Sequence, residues 1–202
     1  MTEEASPLSH QALKAQRTRE KLIDATISLI KEGGFAAASS SRIAQRAGMT
    51  WGAAQHHFGS KEDILEAILA RAYDSFLAIT SSEDLRQGSL ADRVHHFIDR
   101  MWQHYQGDLN HVSLEILLAT RSDSKHPARA WEQRQGRAHM KVVREVFQDT
   151  RLSDARLREA LTFTHCFLTG LSIESIFESR VRHLDNHLQR IKMALQIMLA
   201  GV

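Results

Sequence analysis

The sequence has few residues that interrupt helices or cross-link chains. Its 202 residues include two prolines, Pro7 and Pro127, and ten glycines. Because proline and glycine disfavour helix interiors, their scarcity favours an all-α fold. Cys166 is the single cysteine, so an intramolecular disulfide is impossible. A protein without disulfides is typical of the reducing cytoplasm, where we expect this chain to act.

Long apolar runs and a targeting signal are also missing. No apolar run approaches the roughly 20 residues that a helix needs to span a bilayer. The first residues, MTEEASPLSH, are acidic and polar and do not resemble a signal peptide. We therefore expect no membrane partner, and we expect residues 1–15 to form a disordered tail.

The net positive charge is small overall, and positive charge is concentrated near the N-terminus. The formal net charge is +2. Between residues 14 and 61, eight basic residues against three acidic ones give a local net charge of +5. The basic residues are Lys14, Arg17, Arg19, Lys21, Lys31, Arg42, Arg46 and Lys61. A basic head on a mildly acidic remainder is typical of a module that binds phosphates, although a solvated surface can have the same composition.

Apolar residues recur at spacings of three and four along most of the chain, which predicts about nine helices. Candidate N-terminal caps are Ser39, Thr50, Ser60 paired with Asp63, Asn110 and Ser153. The predicted helices cover about 17–32, 40–47, 51–57, 61–80, 89–106, 111–121, 127–149, 153–179 and 185–200.

Residues 39–58, SSSRIAQRAGMTWGAAQHHF, carry the most informative pattern. Two short helices are separated by a three-residue turn that contains Gly48. Ile43, Ala44, Ala47 and Met49 can pack the two helices together. This spacing predicts a helix-turn-helix, whose second helix can lie in a DNA major groove. An ordinary tight corner between two helices would show the same spacing.

The stretch from Thr18 to about Ala70 resembles the N-terminal domain of TetR-family regulators. The shared motifs are Lys31-Glu32-Gly33-Gly34-Phe35, Ile43-Ala44 with Ala47-Gly48, Thr50, Gly52, His57-Phe58 and Ser60-Lys61-Glu62. The rest of the chain agrees with the family in length and helical character only. The resemblance implies a dimeric transcriptional regulator, usually a repressor, that a small ligand releases from a palindromic operator.

The resemblance also implies which residues contact DNA. Those facing base edges are Trp51, Gly52, Ala53, Gln55 and His56. Those contacting phosphates are Ser41, Thr50, His57 and Lys61. Trp51 and His57 could instead pack on the protein itself. Ala54 and Gln55 depart from the bulky aliphatic residue and tyrosine that the family usually has there, so the sequence does not predict the operator.

The C-terminal third has more apolar surface than one core face requires. Residues 161–177 are apolar almost all round, and a second predicted helix carries an apolar stripe. The stripe consists of Leu184, Leu188, Ile191, Leu195 and Met198. Two such helices from each of two subunits can form a four-helix interface, as the resemblance favours. Both stripes could instead serve the subunit's own core.

Aromatic and apolar residues on the central helices predict a pocket for a small, largely apolar effector. The predicted ligand-binding residues are Phe97, Met101, Trp102, Tyr105, Glu115, Leu118, Phe147, Phe163 and His165. A fully packed core is the alternative, since aromatic residues at helical spacing are usually core. We expect a DNA-binding domain over residues 16–65 and a ligand-binding and dimerisation domain over 66–202.

Catalytic, metal and cofactor sites are not expected. His183 and His187 share a helix face but lack a third ligand, and His165 and Cys166 point about 100° apart. No phosphate-binding glycine loop is present. Two other hypotheses remain: a small all-α ligand-binding protein or enzyme that uses the central cavity, and a helical adaptor that has lost DNA binding. The basic head favours the regulator.

Overall fold

The computed structural model describes residues 9–122, 140–178 and 181–201, and its regular structure is helical throughout those ranges. Nine α-helices lie in the described residues, together with two short 3-10 turns, which confirms the predicted all-α class. They are α1 (His10–Gly33), α2 (Ser40–Arg46), α3 (Trp51–Phe58), α4 (Lys61–Thr80), α5 (Leu90–Tyr105), α6 (Asp108–Thr120), α7 (residues 140–146), α8 (Asp154–Phe177) and α9 (Leu184–Ala200).

Side-chain caps start several helices where the sequence predicts them. The Ser39, Thr50 and Ser153 hydroxyls each accept a hydrogen bond from a backbone N–H three residues later, at 3.4, 3.3 and 3.4 Å. Before α4, Asp63 N–H donates to the Ser60 hydroxyl at 3.1 Å, and Ser60 N–H donates back to the Asp63 carboxylate at 2.9 Å. These bonds satisfy backbone donors that a helix N-terminus otherwise leaves free.

Two local expectations need revision, and a third is not tested. Helix α1 already begins at His10, where the Ser9 hydroxyl accepts from Ala12 N–H at 3.2 Å, so residues 10–15 are helical and not a disordered tail. Asn110 does not cap α6; it lies inside that helix, and its amide donates to the Tyr105 carbonyl at 3.0 Å. The start of the helix predicted from Pro127 lies outside the described residues.

By their contacts, the described residues form two compact units. The first comprises residues 9–70 with 112–122, and the second comprises 71–111 with 140–178 and 181–201. We expected a boundary after residue 65, and the structure places it after residue 70, within α4. Residues 112–122 also group with the N-terminal head. A separate function for each unit stays a prediction, because contacts alone do not test function.

The first unit has a small core in which each head helix takes part. Helix α1 contributes an apolar face that includes Leu22, Leu29 and Ile30, and α3 contributes Ala54 and Phe58. The other members are Ile43 and Ala44 from α2 and Ile64, Leu65, Ile68 and Leu69 from α4. Burying an aliphatic or aromatic side chain contributes about 1.5–3 kcal/mol, so this shared core holds the short helices in place.

The second unit is built around a larger core that joins α5, α7, α8 and α9. The Phe97 and Phe147 rings are fully buried and meet edge to face, with centroids 5.4 Å apart.

Two buried cations are paired at the margin of this core. Arg93 contacts Asp149 at 2.6 Å, and Lys192 on α9 contacts Asp99 on α5 at 2.6 Å. Leaving either cation unpaired would be costly, so the ion pairs fix these neighbours.

The apolar stripe of α9 packs into this core of its own subunit. Ile191 and Leu195 are 1% and 0% exposed, and Leu184, Leu188 and Met198 pack against the same cluster. The assignment of this stripe to a subunit interface is therefore wrong. Periodicity showed that the stripe is buried, but it could not show which surface covers it.

Helix α8 leaves much apolar surface uncovered. It is long and apolar enough to cross a membrane by length and composition alone, contrary to the expectation from the sequence, and 28% of that stretch is buried in the structure. Phe163, Ile176 and Phe177 are 45%, 55% and 79% exposed. On α9, Met193 and Ile197 are likewise exposed. Several exposed apolar side chains on two helices of one unit are typical of an interaction surface.

Candidate nucleic-acid interface

The turn between α2 and α3 has a defined geometry. Gly48 adopts a φ of 74°, a left-handed conformation that side chains other than glycine rarely adopt. Across the turn, Met49 N–H donates to the Ala44 carbonyl at 2.9 Å. Thr50 then caps α3. The glycine and the cap together set the direction in which α3 leaves the turn.

Helix α3 has one buried and one exposed face. Ala54 is completely buried and Phe58 is 6% exposed. The small Ala54 side chain fills this core position. Of the residues that we expect to face bases, Gly52, Ala53, Gln55 and His56 are exposed and Trp51 is half-buried. They therefore remain available to a partner, and their contacts with bases stay predictions.

The residues predicted to contact phosphates differ in their exposure and in the groups next to them. Ser41 is exposed, and its hydroxyl is 3.3 Å from that of Ser39. Thr50 is exposed although it caps α3, and His57 is half-buried. The Lys61 ammonium lies 4.4 Å from the centroid of the Phe35 ring, and burial lowers the pKa of Lys61. These roles in DNA binding remain predictions.

Arg19 stabilises the end of α3, a role that the sequence analysis missed. Its guanidinium lies 3.8 Å from the centroid of the Phe58 ring and donates to the His57 carbonyl. A cation at this position satisfies a carbonyl that the C-terminus of a helix leaves free and favours the negative end of the helix dipole. The sequence analysis counted Arg19 only as part of the basic charge.

Two further long-range contacts hold the head together. Arg46 on α2 forms paired hydrogen bonds with the Glu32 carboxylate on α1, at 2.7 and 2.6 Å. The hydrogen bond from Arg46 lowers the pKa of Glu32. At the corner after α1, the backbone N–H of Phe35 donates to the Glu115 carboxylate on α6 at 2.8 Å. The α1 corner is thus held by a side chain that comes from distant sequence.

The residues predicted to bind an effector divide into two groups. Five of them belong to the core of the second unit, and His165 joins them through a hydrogen bond between its Nδ1 and the Tyr105 hydroxyl. Those five are Phe97, Met101, Trp102, Tyr105 and Phe147. Burial raises the pKa of Tyr105, and desolvation lowers the pKa of His165.

The other three predicted effector contacts are placed differently from what we expected. Leu118 and Phe163 are 51% and 45% exposed, because each lies on a helix face other than the one that packs into its unit. Glu115 accepts the hydrogen bond from Phe35. Periodic spacing alone did not distinguish these faces, and none of the three lines the core of the second unit.

Comparison with known proteins agrees with this geometry. Residues 22–68 match the bacterial regulatory proteins of the tetR family. The regulator BetI from Escherichia coli O17:K52:H18 is 32% identical over 112 residues, which cover 54% of this chain and 55% of BetI. The regulator SrpR from Pseudomonas putida is 39% identical over 59 residues, which cover 29% of this chain and 28% of SrpR.

The likeness to solved structures extends over nearly the whole chain. The multidrug binding protein EbrR, complexed with imidazole, superposes with a TM-score of 0.66 at 18% identity, covering 95% of this chain and 97% of EbrR. A tetR-family regulator from Streptomyces coelicolor gives a TM-score of 0.70 at 19% identity, covering 92% and 83%. The head of the chain thus belongs to the TetR family by sequence, and the chain shares the fold of that family's solved members.

Membership of the TetR family agrees with the expectation that the chain is a regulator and not an enzyme. The residues that match the tetR family, 22–68, lie in the head and include α2 and α3. The chain spans 55% of the length of BetI and 28% of that of SrpR. Any operator and effector therefore have to be argued from the chain's own residues.

The contact between Arg19 and the end of α3 can be tested by stability. We expect Arg19→Ala to lower the free energy of unfolding by about 1 kcal/mol, because it removes a cation–π contact and a charged hydrogen bond. Arg19→Lys should recover only part of the loss, since an ammonium lacks the planar stacking group. Arg17→Ala is the control, because it removes the same charge two residues away. Equal unfolding curves for Arg19→Ala and Arg17→Ala in denaturant would contradict the role of Arg19.

Proposed function

We propose that this chain binds operator DNA through α3, represses transcription in the cytoplasm, and releases the operator when a small, largely apolar ligand binds. The observation that carries the proposal is the exposed face of α3 on a basic head. A major groove about 12 Å wide admits a helix, and the exposed polar and small side chains can approach base edges. The local net charge of +5 between residues 14 and 61 complements the phosphates.

Individual residues of α3 suit distinct tasks in this proposal. The amide of Gln55 can donate to and accept from adenine in a bidentate arrangement. Nothing lies within 4 Å of a Cβ placed on Gly52, so the helix surface is open there. The N-terminus of α3 and the Thr50 hydroxyl favour a phosphate, because the free N–H groups and the helix dipole both attract an anion.

Substitutions at Thr50 can separate its role as the cap of α3 from its proposed contact with a phosphate. Aspartate caps helices at least as well as threonine, so Thr50→Asp should keep the thermal stability of the protein. It should nevertheless weaken DNA binding by about tenfold or more, because its charge repels the phosphate. Thr50→Ser is the control and should keep both properties. The measurement is fluorescence anisotropy with a duplex that the wild-type protein selects from a random pool.

The same selection distinguishes reading of bases from contact with phosphates. Gln55→Ala and Trp51→Ala should change the selected sequence, whereas Lys61→Ala should weaken binding to all sequences alike. Undiminished binding by Thr50→Asp would refute the phosphate contact. Equal, sequence-blind losses in the Gln55, Trp51 and Lys61 variants would refute the assigned roles.

A homodimer is the second part of the proposal. Exposed apolar side chains of α8 and α9 lie in the second unit, where two copies can cover them in a four-helix arrangement. These side chains are Phe163, Ile176 and Phe177 on α8 and Met193 and Ile197 on α9. Gly170 on α8 has open space around it, which permits close approach of a helix. A two-fold dimer makes a palindromic operator the geometric expectation.

The dimer can be disrupted without damaging the subunit core. Ile176 and Ile197 are 55% and 56% exposed, so the double variant Ile176→Glu, Ile197→Glu should fold. We expect it to sediment as a monomer at micromolar concentration, because the charges would be buried in the interface. Leu118→Glu, on an exposed residue of α6, is the control and should stay dimeric. A monomeric wild-type protein would refute the dimer.

An effector site in the second unit is the third part of the proposal. The core there combines aromatic side chains with the polar pair Tyr105 and His165, a composition typical of sites for small apolar molecules. EbrR, which has a similar fold, is described as a multidrug binding protein and holds imidazole. We infer that a ligand enters this core and displaces side chains around Tyr105.

Helix α6 offers a route by which such displacement reaches the head. At its first turn, His111 Nε2 lies 2.9 Å from the Ser172 hydroxyl, which donates to the Tyr105 carbonyl at 2.7 Å. One turn further on, Glu115 holds the N–H of Phe35. Residues four apart lie on the same face of a helix, so a shift of α6 at His111 also moves Glu115.

The coupling has a measurable consequence. A ligand releases DNA only if it binds the DNA-incompetent state better, and a tenfold preference corresponds to about 1.4 kcal/mol. Thermal-shift screening of apolar compounds should find a stabiliser that lowers DNA affinity. Glu115→Ala should keep binding of that stabiliser but reduce DNA release, whereas Glu115→Gln, which keeps a hydrogen-bond acceptor, should retain it. A tight stabiliser that leaves DNA affinity unchanged would refute the effector role for that compound.

A further inference from the structure

The first half of α1 forms a helix that the core does not hold. Helix α1 runs from His10 to Gly33, but its buried residues begin only at Leu22. Residues 10–21 therefore extend for about 18 Å, at 1.5 Å per residue, with no buried side chain. We call this segment the α1 extension.

One face of the α1 extension is basic. His10, Lys14, Arg17 and Lys21 follow one another at spacings of four, three and four, so they lie on one side of the helix. We call these four residues the basic stripe. All four are exposed, and their side chains form no hydrogen bond or ion pair with any residue that the structure describes. Glu20 is the single acidic residue between positions 10 and 21.

The basic stripe destabilises the helix that carries it. Like charges three or four residues apart on a helix repel one another, by a few tenths of a kcal/mol for each pair. No acidic residue lies in the first turn to favour the helix dipole. An extended helix with this charge pattern becomes more stable when an anion binds along the stripe.

Arg19 links the α1 extension to α3. It lies within the extension but off the basic stripe, where it stacks on Phe58 and donates to the His57 carbonyl at the end of α3. The basic stripe and α3 therefore belong to the same compact unit.

We propose that the basic stripe is a second DNA-binding surface, which contacts phosphates of the duplex flanking the segment read by α3. This inference rests on the proposed function, since α3 has to bring the duplex to the stripe. The α1 extension does not suit a lipid surface, because its apolar residues are only Ala12, Leu13 and Ala15 and leave no wide apolar face. The dense phosphate charge of a duplex complements Lys14, Arg17 and Lys21, the three residues of the stripe that carry a full positive charge.

The test measures how binding to a fluorescein-labelled, random-sequence duplex of about 40 base pairs depends on salt, because the phosphate term is independent of sequence. The variant is Lys14→Gln, Arg17→Gln, Lys21→Gln, which keeps good helix formers in α1. The control is Lys141→Gln, Arg151→Gln, Arg158→Gln, which removes the same charge from exposed positions in the second unit. Circular dichroism checks that both variants remain helical.

We expect the slope of log affinity against log salt to become shallower by up to about 0.9 for each phosphate contact that the variant loses. The control should keep the wild-type slope. A variant with the slope and affinity of the control would overturn the second surface, while a loss of binding by Thr50→Asp would leave the proposed function standing. A wild-type protein that binds no duplex would overturn both proposals.

Two further measurements complete the test. If the triple variant loses helix content, Lys14→Gln alone, two turns before the first buried residue, should still lower the slope by about 0.9 per subunit. An unchanged slope for a folded Lys14→Gln protein would then count against the stripe. Stripe-dependent binding to phosphatidylserine vesicles with an unchanged DNA slope would assign the stripe to a membrane surface and overturn the proposal.

Discussion

The function of the head depends on holding a very short helix in one orientation. Helix α3 has eight residues, and isolated helices of that length are unstable in water. Its helical conformation is therefore stabilised by contacts with the rest of the head. Thr50 caps its N-terminus, Phe58 anchors it in the core, and Arg19 covers that ring and binds the last turn. Fixing both ends leaves the middle of the helix free to present its exposed face.

The same constraint explains why α3 carries small residues. A helix that packs one face and offers the other to a partner has few positions for bulky side chains. Ala54 is completely buried in its core position, and Gly52 and Ala53 add little side-chain volume to the exposed face. Larger side chains follow in the second half of the helix, where Gln55 and His56 are exposed and Phe58 is buried.

Local signals in the sequence were sufficient to predict the helices and the turn of the head. Ser39, Thr50 and the pair Ser60–Asp63 cap neighbouring backbone groups, so their roles depend on only three or four residues of sequence. The contacts that align the helices could not be predicted in this way. Arg19 reaches a carbonyl 38 residues away, and Glu115 reaches an N–H 80 residues away. Their partners are chosen by the tertiary fold, and neither residue differs in type from ordinary surface charges.

The C-terminal helices show the other limit of periodicity. The α9 stripe was correctly expected to be buried, but its cover is α5 and α8 of the same subunit. Once that stripe is occupied, the remaining apolar side chains of α9 stand on its opposite side. Helix α8 shows the same division, with Leu157, Leu161 and Leu168 inside and Phe163 and Phe177 outside.

A helix that is apolar on two sides can make two different contacts, one within the subunit and one with another surface. The inner faces build the subunit, and the outer faces cost free energy until another surface covers them. In the proposed dimer, a second copy covers the exposed side chains of both helices, because a two-fold axis brings the same surface of each subunit into the interface. The proposed assembly thus accounts for apolar side chains of α8 and α9 that a single subunit leaves exposed.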